Sequence, residues 1–339
     1  MSESVDIKTF VVLDLETNAF PSENFNTCSV TEFSIYAFSA ECLINKDVYF
    51  KRFLQELSAE GVDDFHQGPP DLPRVLHKLT LMIRPSGLIQ QSAEDITGLN
   101  NEMLENQSPF DEGTATCINQ FLGRLHEPVC IVAHNGWSYD FPIVRYVYEK
   151  CNKLLPSSIL CVDSLKAFRE IDEKYNILKN ALKVMNLLVP DDELKKNELG
   201  RNNSPLTTDP FEENSKIDWQ GINETSPQKK KPEKPTYSSL LNELKSLSDS
   251  DPPSKKLRVK RSLFANDYTL SKYPKKSLYK LGTIYKRCFS QHAVNLHRAE
   301  KDVEVLTKLM FHYGTDFLAY ADARKQLFSQ VPKLGSSTN

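Results

Sequence analysis

Asp14 and Glu16 stand two apart in Phe10-Val11-Val12-Leu13-Asp14-Leu15-Glu16-Thr17. The run is apolar and β-branched, the composition of a buried strand. On a strand this spacing points both carboxylates to one side. Neighbouring carboxylates taken out of water lose hydration and repel each other. A divalent cation relieves both penalties, and magnesium is held in this way by carboxylates together with substrate phosphates. The plainer alternative is a strand ending at Leu13, with Asp14 and Glu16 solvated in a loop.

Three further residues bear on that choice. Asp140 follows the strand-like PVCIVAHN and opens the helical DFPIVRYVYEKC. By itself it does no more than cap that helix, in whose first turn Pro142 is tolerated. His297 and Asp302 are five apart, which is not one face of a helix. With His297 on a loop and Asp302 in the first turn of a helix starting near 299, both aim at one point. Singly, they read as a loop histidine and a surface acid. Jointly, four acids and a histidine at the ends of elements call for a shared purpose.

The elements that must position them follow from composition and periodicity. The 339 residues are 40% hydrophobic and 26% charged, enough for a substantial core, and the formal net charge of -3 leaves nucleic-acid binding to local patches. No run of 18 apolar residues is present, so no membrane helix is expected, and MSESVDIKTF does not read as a signal peptide. Seven scattered cysteines without a CxxC pair suit reduced thiols in the cytoplasm or nucleus.

Strands are expected over 7–14, 28–40 and 75–84, closely spaced as in an antiparallel meander. Residues 41–74 are mixed and end in a turn-rich loop. Helices are expected over 111–126 and from Asp140, with strands at PVCIVAHN and 159–163 and a helix from SLKAFREI. Strand–helix–strand–helix implies parallel strands. The fold class is α/β, a mixed sheet flanked by helices. SLYKLGTIYKRCF, the stretch from 299 and TDFLAYADARKQLFSQV supply the last helices.

Residues 190–265 are polar and charged and read as a disordered low-complexity insertion between the two parts, 1–189 and 266–330, of one domain; 331–339 reads as a disordered tail. Within the insertion Leu240, Leu241, Leu244 and Leu247 lie at helical spacing, either a transient helix or a docking helix for a protein partner. Lys229-Lys230-Lys231 and the cluster from Lys255 to Arg261 are a solvated linker, a nuclear address or a nucleic-acid tether.

The joint pattern resembles the DEDDh exonucleases of the ribonuclease H-like superfamily. It runs Asp14-Leu15-Glu16-Thr17, then Ala133-His134-Asn135-Gly136 with Tyr139-Asp140-Phe141-Pro142, then Leu296-His297 with Ala299 and Asp302. The lookalikes ITGL (96–99), CVDSL (161–165) and LYKLGTIY bring it nearest the three-prime repair exonuclease branch. The match covers 7–171 and 268–330. It departs at Asn18-Ala19-Phe20, where Thr-Gly-Leu is more usual, and at Ser138, in place of a basic residue.

The resemblance implies a ribonuclease H-like sheet and a 3′→5′ DNA exonuclease using two Mg2+ ions, with Mn2+ as a substitute. It implies that Asp14 bridges both ions, Glu16 and Asp302 serve one, Asp140 acts through water, and His297 is the general base. Histidine exchanges protons near neutral pH. Ala19, Phe20, Ile96, Thr97, Leu99, Asn135 and Tyr139 are the implied substrate contacts, on single-stranded 3′ ends with little sequence preference. Lys272, Lys275, Lys276, Lys280 and Lys286 attract phosphate or merely solvate a helix. Strand 76–84 resembles an edge through which such enzymes form homodimers. An exoribonuclease has the same catalytic residue types; an inactive scaffold fits less well, because all five types are present.

Overall fold

Six strands form one sheet: β1 (Thr9–Thr17), β2 (Val30–Ser39), β3 (His77–Met82), β4 (Val129–Ala133), β5 (Leu160–Asp163) and β6 (Gln326–Leu327), in the order β3-β2-β1-β4-β5-β6. The computed structural model describes residues 6–21, 27–44, 46–57, 68–188, 237–248, 250–264 and 274–336. β3, β2 and β1 pair antiparallel, while β1, β4 and β5 run parallel. This is the mixed, ribonuclease H-like sheet expected. β6 adds a short antiparallel pairing to β5 where a continuous last helix was expected.

The helices in chain order are α1 (Val48–Leu57), α2 (Gln91–Thr97), α3 (Asn101–Leu104), α4 (Glu112–Leu122), α5 (Asp140–Lys150), α6 (Ser164–Leu188), α7 (Tyr237–Lys245), α8 (Pro253–Phe264), α9 (Leu281–Phe289), α10 (Ala299–Tyr313) and α11 (Thr315–Arg324). Strand alternation sorts β1 between two cores. Val11, Leu13 and Leu15 face α5 through Ile143, Val144 and Val147. Phe10 and Val12 share the opposite core with Val303 and Leu306 of α10. On that second face the apolar residues give way to Asp14 and Glu16, at the C-terminal edge of the parallel strands, where α/β sheets place their ligands.

Several expectations need correction. Helix α1 lies in the stretch read as mixed; Phe50 and Phe53 are its buried stripe. Residues 237–248 and 250–264, read as disordered, hold α7 and α8. Leu240, Leu241, Leu244, Val259, Leu263 and Phe264 are buried there, each contributing about 1.5–3 kcal/mol when fully removed from water. Average polarity hid an apolar stripe sufficient to fold. That leucine face is spent within the chain and is not free for a partner. Residues 190–236, Lys229–Lys231 and Lys272 lie outside the described residues. In the stretch read as a tail, Val331 is fully buried and its carbonyl accepts from Arg145. No helix among the described residues is long and apolar enough to cross a membrane.

Candidate active site

The site forms where four chain segments converge on the end of β1. A cavity of about 200 Å³ is lined by Asp14, Glu16, Ala19 and Phe20 from the β1 exit, Ile96 and Thr97 from α2, Tyr139 before α5, and His297 and Asp302 from the start of α10. One ligand atom each from Glu16, His297 and Asp302 lies within 4.8 Å of the others. The structure thus joins residues separated by most of the chain.

Asp140 is buried as the first residue of α5. The cap position belongs to Tyr139, and no side chain caps there, so capping does not account for Asp140. His297 is exposed on the loop before α10, in a left-handed conformation with φ 66°. Such backbone costs about 1–3 kcal/mol and clusters at functional sites. Its N–H donates to Asp302 Oδ2 at 2.9 Å, fixing the loop to the helix. Asp302 Oδ1 is buried and has no hydrogen-bond partner.

Electrostatically the cluster is starved of positive charge. Burial pushes the Asp14 carboxyl well up, and Asp140, Asp302, Glu16 and Glu32 raise it further. Burial and the charges of Asp302, Glu32 and Asp140 push Glu16 up to about 8. Asp140 is pushed up to about 8, first by burial and then by Asp163 and Asp302. Asp302 rises to about 6 through burial, opposed by the His297 N–H and the His297 charge. Crowded acids with an orphaned buried oxygen are a donor set that a hard divalent cation completes. The residues fit such an ion.

The remaining expected contacts separate into two groups. Ala19 is buried, whereas Phe20 and Ile96 expose their apolar surfaces at the cavity rim. Thr97 Oγ1 donates to the Ala93 carbonyl and accepts from Leu99 N–H. Leu99 lies beneath that wall in a small core with Ile89, Ala93 and Leu104, and does not line the cavity. Asn135 does not line it either; it takes φ 63° and donates its N–H to Asp163 Oδ1 at 3.1 Å. The Asn135-Gly136 pair makes a tight turn into α5, with Phe141 N–H donating to the Gly136 carbonyl at 2.9 Å. A Cβ on Gly136 would meet the Phe141 ring at 2.7 Å. Lys275, Lys276, Lys280 and Lys286 are all exposed.

Residues given no role by the sequence reading organise this frame. Asp163 holds the backbone of Asn135, Trp137 and Leu165. His134 Nε2 meets the Tyr279 carbonyl at 2.8 Å and Nδ1 meets Ser164 Oγ at 3.0 Å, so the second motif is tied to the LYKLG stretch. Asn18 bonds Ser29 N–H and the Leu88 carbonyl, bracing the β1 exit where the more usual residue is threonine. Glu32 accepts from Ala299 and Glu300 N–H at the start of α10. Its signal was an acid amid an apolar strand, CSVTEFSIYAFSA, the same signal that marked Asp14.

A mixed sheet with acids gathered at this edge is the architecture of ribonuclease H-like 3′→5′ exonucleases. No family model matches the chain. Three prime repair exonuclease 2 of Homo sapiens is 33% identical over 178 residues, covering 52% of this chain and 67% of that protein. Three-prime repair exonuclease 1 of Bos taurus is 34% identical over 175 residues, covering 49% of each. A zinc-bound E. coli exonuclease I complex with single-stranded DNA aligns over 48% of this chain and 29% of its own, at 15% identity and a TM-score of 0.34, too distant to bear on the site. The chain belongs to the three prime repair exonuclease family.

Proposed function

We propose that the chain is a divalent-metal-dependent exonuclease that removes nucleoside monophosphates from the 3′ ends of DNA, preferring single-stranded or frayed ends. The observation that carries this reading is Asp302 Oδ1, buried without a partner beside Glu16 and His297. Asp14, Glu16, Asp140 and Asp302 would hold two cations, Mg2+ or Mn2+, which supply charge neutralisation for the attacking and leaving oxygens of the phosphodiester.

The chain's own residues do the rest. His297, exposed at the cavity wall, accepts the proton of the attacking water. Phe20 and Ile96 give the terminal base apolar walls that are indifferent to sequence. The backbone at Ala19 receives the terminal 3′-hydroxyl. The exposed lysines 275, 276, 280 and 286 draw in the phosphate chain. Strand β3 is at one end of the sheet and supports a homodimer through strand pairing. Seven free cysteines suit a reducing compartment, cytoplasmic or nuclear.

The test is digestion of 3′-labelled and 5′-labelled single-stranded DNA with Mg2+, beside EDTA and Asp14→Ala controls. Mononucleotides released from the 3′ end, and lost in both controls, are expected. RNA cleaved with DNA untouched would replace this reading with an exoribonuclease. Inertness toward both would overturn it in favour of a binding or scaffolding role.

A further inference from the structure

The first turn of α10 carries Asp302 and follows His297, yet no side chain of its own caps it. Arg298 occupies the cap position without a side-chain bond. The missing acceptor comes from another element. Glu32 of β2 accepts Ala299 N–H at 3.1 Å on Oε2 and Glu300 N–H at 3.5 Å on Oε1. A carboxylate on the first N–H groups of a helix answers both their unpaired donors and the positive end of the helix dipole.

Glu32 is placed for more than capping. It is the direct cross-strand partner of Glu16 in the β1–β2 ladder. The register slips immediately afterwards, with Thr17 opposite Val30, so Thr31 is the extra residue of a bulge. Four residues along the same face of β2, Tyr36 donates its hydroxyl to Glu300 Oε1 at 2.8 Å. Thus β2 grips the first turn of α10 at two points, one of them level with Glu16.

We infer that Glu32 is a positioning residue: it ties the N-terminus of α10 to β2 at the rung paired with Glu16 of β1, and so sets Asp302 and His297 against Asp14 and Glu16. Asp302 Oδ2 is already committed to the His297 N–H, which leaves Oδ1 as its free donor atom. Where Oδ1 points is therefore fixed by where the helix begins. This rests on the metal-site reading given under Proposed function.

Two substitutions test the role. Glu32→Ala removes both acceptors. Glu32→Gln retains one, because its amide nitrogen faces a backbone N–H that it cannot accept from. Arg298→Ser, placed on the Glu32→Ala background, supplies a local cap and restores helix stability without restoring the tie to β2. The readouts are the rise in Tm caused by Mg2+, the Mg2+ concentration giving half-maximal activity, and kcat against KM for DNA.

Supporting partners of metal ligands typically cost about 10–100-fold in metal affinity or activity when removed. Glu32→Ala is expected to raise the half-activating Mg2+ concentration and lower kcat within that range, with KM for DNA little changed and the Mg2+-induced rise in Tm diminished. Glu32→Gln should be intermediate. The Glu32→Ala/Arg298→Ser variant should regain Tm in EDTA but not its response to Mg2+. If the local cap restores both, Glu32 only stabilises the helix and the inference fails. It fails equally if Glu32→Ala responds to Mg2+ as the wild type does. A wild-type protein whose Tm ignores Mg2+ would overturn the metal-site reading and this inference together, a distinct pattern.

Discussion

Lys260 Nζ lies 3.0 Å from Asp316 Oδ2, and both side chains are fully buried. The same ammonium is 2.7 Å from Asp47 Oδ1, and Tyr175 donates its hydroxyl to the other Asp316 oxygen at 2.7 Å. The cluster from Lys255 to Arg261 is therefore largely occupied by the fold: Lys256 is buried, Lys260 is enclosed, and Arg261 pairs with Asp6 and Asp322. Arg258 is the member left exposed.

Lys260→Ala should be severely destabilising. Removing one partner of a buried ion pair strands the others, at a cost of about 3–5 kcal/mol. Burial already raises the Asp316 carboxyl, and Lys260, with the Tyr175 hydroxyl, opposes that rise. Without the lysine that carboxyl rises further, so the variant loses stability as pH rises through the higher value. Urea unfolding should show a wider gap from wild type at about pH 8 than at about pH 5. A gap of the same width at both pH values would contradict this account of Asp316.

The acids of the candidate site make a second pH prediction, for metal-free protein. Glu16 and Asp140 are pushed up to about 8 and Asp302 to about 6, by burial first and then by one another's charge or that of Asp163 or Glu32. Unfolded carboxyls titrate near about 4. The folded state therefore holds more protons between these values, and stability falls as pH rises from about 4 through about 8. In EDTA, Tm should decline across that window and Asp14→Asn should flatten the decline. Mg2+ must displace those protons, so the Tm it adds should grow with pH. A Tm in EDTA that is level across the window would refute the crowding argument.

Tyr139 and Thr17 provide a third. Thr17 Oγ1 donates to the Ala19 carbonyl at 2.9 Å, so the 2.7 Å contact between the hydroxyls is a donation from Tyr139 to Thr17. Burial raises the Tyr139 phenol further above its ordinary value, keeping it a donor. This relay joins the residue before Asp140 to the turn that carries Ala19 and Phe20. Tyr139→Phe loses one hydrogen bond, about 1 kcal/mol, and should raise KM for DNA about fivefold with a smaller change in kcat. A change confined to kcat would place Tyr139 in the chemistry instead.

The candidate constellation was legible only as a joint pattern: Asp14 and Glu16 interrupt an apolar strand, whereas Asp140, His297 and Asp302 stand out only when the three motifs are taken together in order. The meander and the crossover strands were legible from period and spacing. What escaped depended on distant partners. Helices α7 and α8 look polar on average, but Leu244 and Phe264 find a core only after the chain returns to α6 and α11. Lys260 reads as one of a basic run until Asp47 and Asp316 are beside it. Leu99 and Asn135 are substrate contacts only by the resemblance; in the fold Leu99 packs beneath the cavity wall and the Asn135 N–H donates to Asp163.

The edge of the sheet gives the last prediction. β3 pairs with β2 on one side and ends the sheet order on the other. Leu79 and Leu81 turn inward, half-buried against the core, and His77, Lys78 and Thr80 are exposed. An open edge of this length is a template for pairing with a second copy. Light scattering at about 10 µM should give the mass of two chains, a concentration at which standard-sized interfaces hold together. In an antiparallel strand, adjacent residues send their N–H groups to opposite sides. One of Thr80→Pro and Leu81→Pro therefore removes a donor from the outer edge alone, while the other breaks the ladder to β2. The first should give a monomer of near wild-type Tm, and the second a protein of lowered Tm. A monomeric wild type would remove the dimer from the account and leave β3 as an edge guarded by Lys78.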